Sequence, residues 1–208
     1  GIDISAPMLA QAKRRAALEP TLKLQFERHD AQTAEFSAAA YAHGFSRFGV
    51  MFFDDPIAAF GNIRKALKAD GRLTFICWRA LAENPWMAIP LDVASEFVTP
   101  PEPAPPGAPG PFALADGERA RQILGAAGYS EISLEALNEP LYLSGRGTAA
   151  AAAAHATRMG PVARVLGDAD EDIVRRVEAA LIETLTPYYD GTGIRMDSAC
   201  WIVSARAG

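Results

Sequence analysis

The stretch Gly1-Ile2-Asp3-Ile4-Ser5-Ala6-Pro7-Met8 decides the fold that the sequence predicts. Its apolar start is typical of a buried strand with Asp3 at the tip, and Pro7 suits the first turn of a helix with Ser5 as N-cap. In nucleotide-binding α/β folds, a strand that ends in a carboxylate and turns into a helix binds the two hydroxyls of a ribose. We therefore expect Asp3 to bind a ligand, with capping of the helix as the alternative role.

The first 80 residues continue in the same way, with strands alternating with helices. The predicted elements are strands at 22–27, 45–50 and 72–78, a helix at 56–68 that Asp70-Gly71 ends, and a short helix or loop at 33–42. This alternation predicts a parallel sheet with crossover helices.

After residue 80 helices dominate, and the spacing between strands becomes irregular. The predicted elements are helices at 84–98 and 116–127, strands at 132–137 and 198–205, two or three helices within 147–186, and a proline-rich extended loop at 99–111. Gly128 is expected to end the second of these helices in a left-handed conformation.

Composition narrows the class of protein. The chain has 208 residues, of which 50% are hydrophobic and 22% charged, so a folded domain with a sizeable core is expected. A net charge of −5 without a basic tract argues against nucleic acid and against an anionic membrane surface. Neither an apolar run of about 20 residues nor a signal peptide is visible, which predicts no membrane span and a cytoplasmic location. Cys77 and Cys200 are expected to be buried thiols, and no spacing of His, Cys and Asp suggests a metal.

Four stretches together resemble one family: GIDISAPMLAQA, FERHDAQTAEF, FSRFGVMFFDDPIAAFGNIRKALKADGRLTFICW and GPFALADGERARQILGAAGYSEI. Their order and spacing resemble the class I S-adenosylmethionine-dependent methyltransferases of the small-molecule, ubiquinone-biosynthesis-like type. The resemblance implies an α/β fold with a Rossmann-like doubly wound sheet, mostly parallel with an antiparallel last strand, and a helical cap. It places the last strand beside the strand at 72–78, with Cys77 and Cys200 on neighbouring strands. The implied core is 1–83, 112–145 and 195–208, and the implied cap is 84–111 and 146–194.

The resemblance also assigns cofactor-binding roles by position, for S-adenosylmethionine and its product S-adenosylhomocysteine without a metal. Asp3 accepts from both ribose hydroxyls, and Asp30 with the Ala31 backbone amide reads the adenine edge. For Asp30 the alternative is a turn-forming aspartate. The remaining implied positions are Ile4 and Met8 near the adenosine (alternatively core residues), Gln32 beside the adenine (alternatively solvent-exposed), and Ser46 along the methionine moiety.

The implied acceptor side is apolar and aromatic, which fits a small apolar molecule better than a protein or nucleic acid. Arg47 follows Ser46 at the carboxyl end of a strand, with a surface ion pair as its alternative role. The other implied substrate-binding residues are Trp86, Phe112, Arg158, Tyr188 and Tyr189, for each of which packing within the cap is the alternative. No catalytic residue is assigned, because the displacement demands none.

Two departures from the family pattern stand out. Tyr41-Ala42-His43-Gly44 lacks the aspartate that the family usually carries before its fourth strand, and a glycine weakens a strand. In addition, the family's first strand and glycine-rich turn would precede Gly1. The sheet is therefore expected to be incomplete, with two strands lacking a neighbour, and the chain to be an N-terminally truncated form.

The predicted function is S-adenosylmethionine-dependent methyl transfer to a small, apolar acceptor. The alternative is a non-catalytic methyltransferase-like fragment that acts as a dimerisation or interaction module. A homodimer is a possible partner state. A nicotinamide-dependent oxidoreductase is a third hypothesis, but the sequence offers no catalytic Tyr/Lys or His set for it.

Overall fold

The computed structural model describes residues 1–208 except Pro103, Ala104 and Pro106. The strands are β1 (Ile2–Asp3), β2 (Glu27–Arg28), β3 (Tyr41–Arg47), β4 (Leu67–Trp78), β5 (Ser130–Asn138), β6 (Leu141–Tyr142), β7 (Arg195–Met196) and β8 (Ala199–Arg206). The helices are α1 (Ala6–Ala16), α2 (Pro56–Ala66), α3 (Pro85–Ser95), α4 (Gly117–Ala126), α5 (Ala149–Ala156), α6 (Gly160–Leu166) and α7 (Glu171–Leu185).

The strands form three sheets. β1 and β2 pair in parallel, a four-stranded sheet has the order β3-β4-β8-β5, and β6 and β7 pair antiparallel. Within the described part of the chain, β1 therefore pairs with β2 alone and β3 with β4 alone. The expected α/β fold with a mostly parallel, interrupted sheet is confirmed.

The last strand lies beside β4, as predicted. The Arg79 amide donates to the Ala199 carbonyl at 3.0 Å, and the Ala207 amide donates to the Gly71 carbonyl at 2.8 Å. Because residue numbers rise along β4 as they fall along β8, the two strands run antiparallel. Cys77 and Cys200, both buried and free, stand on these neighbouring strands.

The chain divides into two compact units. The first comprises residues 1–76, 117–134 and 202–208, and the second comprises residues 77–116 and 135–201. The division into core and cap made from the sequence stays a prediction.

The first unit is built around aromatic rings that connect α2 to the sheet. Phe60 of α2 is fully buried, lies 5.4 Å from Phe75 of β4 between ring centroids, and meets Phe53 edge-on at 5.6 Å. Asp55 caps α2 by accepting from the Ala58 amide at 2.9 Å. This packing fixes α2 against the sheet.

The second unit is mainly helical. Its core is formed by small and branched residues of α3, α5, α6 and α7. Five of them are fully buried: Ala94, Ala152, Val177, Leu181 and Leu185. Asn84, also fully buried, joins the start of α3 to β8: its amide nitrogen donates to the Ala199 carbonyl and its oxygen accepts from the Ala199 amide.

Three sequence-based boundaries were wrong. The strand predicted at 22–27 is only β2, since β1 offers two residues to pair with, and Leu22 and Leu24 are exposed. β3 begins at Tyr41 rather than 45, because the residues from Tyr41 onward pair with β4 and Gly44 stands opposite Leu73.

The third correction concerns the end of α2. The helix ends at Ala66, two residues before the predicted end, and β4 begins at Leu67 with an irregular stretch before Arg72. The other predicted helices and strands lie close to their predicted places, and Gly128 ends α4 with φ of +90°. The predicted loop at 99–111 lies partly outside the described residues.

Candidate functional site

Asp3 is the last residue of β1 and is half-buried. Its Oδ1 accepts from the Ser5 amide at 2.7 Å, while the Ser5 hydroxyl accepts from the Met8 amide at 3.4 Å. Ser5, and not Asp3, is therefore the N-cap of α1. A carboxylate has two oxygens and about four acceptor sites, so Asp3 retains acceptor capacity for a diol.

Two apolar residues beside Asp3 face solvent. Ile4 is 64% exposed and Met8 is 62% exposed, whereas Leu9 on the same helix is buried. Ile4 and Met8 therefore do not pack in the core between helix and sheet, which was their alternative role. The Arg28 guanidinium donates to the Ile4 carbonyl at 3.0 Å and holds the turn after β1 next to β2. These side chains form an apolar surface next to the carboxylate.

Asp30 lies two residues beyond the end of β2, which pairs in parallel with β1. The His29 amide donates to the Asp3 carbonyl at 3.2 Å, so the chain stays alongside β1 up to this point. Asp30 is exposed, and its Oδ1 accepts from the Gln32 amide at 2.9 Å. The structure therefore brings Asp3 and Asp30 to the same ends of two neighbouring strands.

Two polar side chains hold the loop after Asp30 against α2. The Gln32 Oε1 accepts from the Asp55 amide at 2.9 Å, so this oxygen serves the protein itself. Asn62 donates to the carbonyl oxygens of Ala31 at 3.0 Å and Ala34 at 2.8 Å. Sequence reasoning missed Asn62, because its partners are backbone atoms far away in the sequence.

Ser46 and Arg47 end β3. Ser46 is half-buried, and its hydroxyl oxygen lies 3.1 Å from the place a Cβ on Gly49 would take, so the glycine leaves room for it. Arg47 is exposed, with its guanidinium 5.9 Å from the ring centre of Phe48. The segment before them also holds a polar pair that the sequence did not indicate, His43 Nε2 at 3.1 Å from Thr74 Oγ1.

Among the predicted acceptor-side residues, Trp86 is used for packing. Its indole nitrogen donates to Asn84 Oδ1 at 3.1 Å, and its ring centre lies 4.9 Å from that of Trp78. Phe112 lies half-buried in a turn before α4. Packing is thus the documented role of Trp86 in the second unit.

Arg158 lies at a shallow hollow of about 430 Å³ in the second unit. The other residues around it are Ser144, Ala151, Ala154, His155 and Met159. Tyr188 and Tyr189 do not line this hollow; both are exposed, and the Tyr189 hydroxyl donates to the Gly191 carbonyl at 3.0 Å.

A second hollow of about 370 Å³ in the same unit is more polar, and it was not predicted. It is lined by Arg79, Glu83, Asn138, Asp197, Ser198 and Ala199. Arg79 already donates to Asn138 Oδ1 at 3.0 Å and pairs with Glu83, and its guanidinium lies 4.8 Å from the ring centre of Trp201. Two of the three guanidinium nitrogens of Arg79 thus already have partners within the protein.

Within the part of the chain that the structure describes, no cluster of three or more His, Cys, Asp or Glu side chains is arranged to hold a metal ion. None of the helices described there has the length and apolar character needed to cross a membrane.

Comparison with known families gives one match. Residues 1–75 match the family described as methyltransferase domain. This segment contains Asp3, the Asp30–Gln32 loop and Ser46. No protein with a curated description matches the chain in sequence.

Solved structures share the fold over nearly the whole chain. YcgJ from Bacillus subtilis is 13% identical, with a TM-score of 0.59 over 99% of this chain and 80% of that one. A putative methyltransferase from Bacillus halodurans is 16% identical, with a TM-score of 0.53 over 99% of this chain and 81% of that one. Phosphoethanolamine N-methyltransferase 2 from Haemonchus contortus is 16% identical, with a TM-score of 0.53 over 99% of this chain and 43% of that one. At these identities the likeness shows the fold.

The family match places a methyltransferase domain at residues 1–75, and the fold agrees along the remainder of the chain. The chain is therefore similar to methyltransferase domains over residues 1–75, and it shares its fold with these solved structures along nearly its whole length.

Proposed function

We propose that this chain binds S-adenosylmethionine through Asp3 and the Asp30–Gln32 loop and supports methyl transfer to a small, apolar acceptor. The observation that carries the proposal is the placement of two carboxylates, Asp3 and Asp30, at the same ends of the neighbouring parallel strands β1 and β2. Ligands of open α/β sheets bind at the carboxyl ends of the strands.

The residues present fit the adenosine part of this cofactor. Asp3 keeps acceptor capacity for the ribose hydroxyls after its bond to the Ser5 amide. Ile4 and Met8 offer an exposed apolar surface for a base. Across the described residues, the Ala31 amide donates to no backbone acceptor, which leaves it for a ring nitrogen.

When bound, S-adenosylmethionine supplies an activated methyl group together with its leaving group. The residues of this chain bind and orient. Asp3 fixes the ribose by two charge-assisted hydrogen bonds, and Asp30 with the Ala31 amide fixes the adenine edge. Ser46, half-buried at the end of β3, is the candidate for the methionine end. Correct orientation of the two reactants and exclusion of water contribute several kcal/mol to such a displacement.

We propose that the acceptor binds in the second unit, at Arg158 and the apolar side chains around its hollow. Met159 is 60% exposed beside Arg158, so the hollow presents apolar surface next to one cation. A small, mainly apolar acceptor with a single anionic or polar group matches that surface.

Calorimetric titration with S-adenosylhomocysteine tests the proposal. Asp3→Ala removes two charge-assisted hydrogen bonds, so we expect the affinity to fall about 10- to 100-fold. Glu19→Ala, which removes an exposed carboxylate in the same unit, is the matched control and should bind like the wild type. Equal affinities of Asp3→Ala and wild type would contradict the proposed role of Asp3.

A non-catalytic interaction module is the second candidate, favoured by the exposed aromatic residues of β3. Phe45 is 86% exposed and Tyr41 54% exposed on a strand whose other edge is unpaired within the described residues. Such an edge can pair with a second copy of the chain.

Light scattering coupled to size exclusion tests this second candidate. A homodimer that Phe45→Glu dissociates would support it, with Leu18→Glu, at another exposed leucine, as the control. A monomer at all concentrations would exclude a homodimer through β3.

A further inference from the structure

The loop that follows β2 is ordered by its own backbone. The amides of Thr33 and Ala34 both donate to the Asp30 carbonyl, at 3.2 and 2.8 Å. In a trans peptide the carbonyl and the next amide point in opposite directions. Because the Asp30 carbonyl points into the turn, the Ala31 amide points out of it. The Asp30 Oδ1 is held by the Gln32 amide at 2.9 Å, which fixes the direction of that carboxylate as well.

This loop is fastened to α2 through Asn62. One side-chain nitrogen, Nδ2, donates to the carbonyls of Ala31 and Ala34, and a primary amide has two N–H groups for two acceptors. Both donors are therefore used on the loop. The bonds reach back 31 and 28 residues and are partly buried, so they connect the loop to a helix that the Phe60 packing holds rigidly.

A second fastening lies at the start of the same helix. The Asp55 amide donates to Gln32 Oε1 at 2.9 Å, and the Asp55 carboxylate caps α2 on the Ala58 amide at 2.9 Å. The loop is thus held at two places. The Asp55 amide binds the side chain of Gln32, and the Asn62 side chain binds the carbonyls of Ala31 and Ala34. The helix N-terminus sets where the loop lies.

We propose that Asn62 is a positioning residue for base selectivity: it holds the loop so that the Asp30 carboxylate and the Ala31 amide meet the adenine edge together. This inference rests on the proposed function. An adenine offers an amine donor beside a ring acceptor, which matches a carboxylate acceptor beside an amide donor. A hypoxanthine offers a carbonyl beside a ring N–H, which places acceptor against acceptor and donor against donor.

The consequence is a selectivity that depends on Asn62. With the loop held, the wild type should bind S-adenosylhomocysteine at least about tenfold more tightly than S-inosylhomocysteine, since one mismatched hydrogen bond changes affinity by about that factor. Without Asn62 the loop is held on the α2 side by the Gln32–Asp55 bond alone, so the Asp30 carboxylate and the Ala31 amide are no longer fixed together. The ratio of the two affinities should then fall to about two, chiefly through weaker binding of S-adenosylhomocysteine.

The experiment is calorimetric titration of wild type, Asn62→Ala and Lys65→Ala with both nucleosides. Lys65 is an exposed residue of the same helix whose side chain makes none of these contacts, so Lys65→Ala should keep the wild-type ratio. General damage to the fold would lower both affinities alike and leave the ratio unchanged, which would overturn the positioning role. Should Asn62→Ala not fold, Asn62→Asp keeps the shape and removes both donors, and the same loss of ratio is expected.

The outcomes separate the two proposals. A wild type that binds neither nucleoside contradicts the proposed function and this inference with it. A wild type that binds both equally, or whose selectivity survives in Asn62→Ala, overturns the role of Asn62 and leaves the proposed cofactor binding by the chain standing.

Discussion

Gly71 shows how a single residue shapes the start of β4. It lies between Leu67, which pairs with Tyr41, and Arg72, which pairs with His43. More residues separate the two positions on β4 than on β3, so the pairing is irregular there. A Cβ on Gly71 would lie 2.8 Å from the Lys68 carbonyl oxygen. We expect Gly71→Ala to lower the free energy of unfolding by about 1–3 kcal/mol, because the backbone must shift. Urea denaturation measures this.

Gly61 is the matched control for that substitution. It lies inside α2, and a Cβ there would meet nothing within 4 Å. Gly61→Ala should therefore raise the free energy of unfolding by about 0.5–1 kcal/mol through helix propensity. A stable Gly71→Ala protein would show that the 68–71 stretch relaxes freely.

At the scale of residues, the sequence indicates roles that follow from position at a strand end. Asp3 is predicted because a carboxylate at the tip of a strand is a recognisable pattern, and Asp30 is implied by the family resemblance; both roles stay predictions. Ser5 was predicted as N-cap because it precedes a proline-started helix, and this is confirmed. Asn62 could not be found in this way. Its partners are carbonyl oxygens, which every residue carries, so only the folded chain reveals which ones it meets.

The neighbouring strands β4 and β8 carry the two thiols. Burial raises the pKa of Cys77 from an ordinary 9.0 to about 12, with Cys200 nearby as a smaller cause, and burial raises that of Cys200 to about 11. The folded state thus holds these protons more tightly than the unfolded state. Their contribution to stability is complete below about pH 9 and falls as the pH rises toward 11–12.

We therefore expect the free energy of unfolding to decrease between pH 9 and 11, and to decrease less steeply in Cys77→Ala than in the wild type. Urea denaturation at several pH values gives the two slopes, and comparing slopes removes the constant cost of the smaller side chain. Parallel curves for the two proteins would contradict a buried, protonated Cys77.

At the scale of elements, helices were predicted more accurately than short strands. The apolar spacing and the caps of α2 and α4 are local, so their ends fell within two residues or so of the prediction. β2 and β3 depend on which strand lies beside them, and that is decided by residues elsewhere in the chain. The glycine at position 44 illustrates this, since pairing opposite Leu73 of β4 keeps it in the strand despite its weak strand propensity.

At the scale of the whole molecule, the order of elements predicted the α/β class, and the family resemblance implied the antiparallel last strand. Alternating strands and helices leave few topologies, and the family resemblance selected one of them. The position of the acceptor site was not accessible in the same way. Its candidate residues lie far apart in the sequence, and Trp86 has packing partners, Asn84 and Trp78, that a sequence does not display.

Hydrogen–deuterium exchange with and without S-adenosylhomocysteine reports where the ligand binds and so tests the adenosine site at Asp3 and Asp30. We expect the ligand to slow exchange in peptides covering residues 3–8 and 29–34, and the same ligand concentration to protect these peptides less in Asp3→Ala. Exchange that is unchanged in both segments at saturating ligand, or slowed only in peptides of the second unit, would contradict an adenosine site at Asp3 and Asp30.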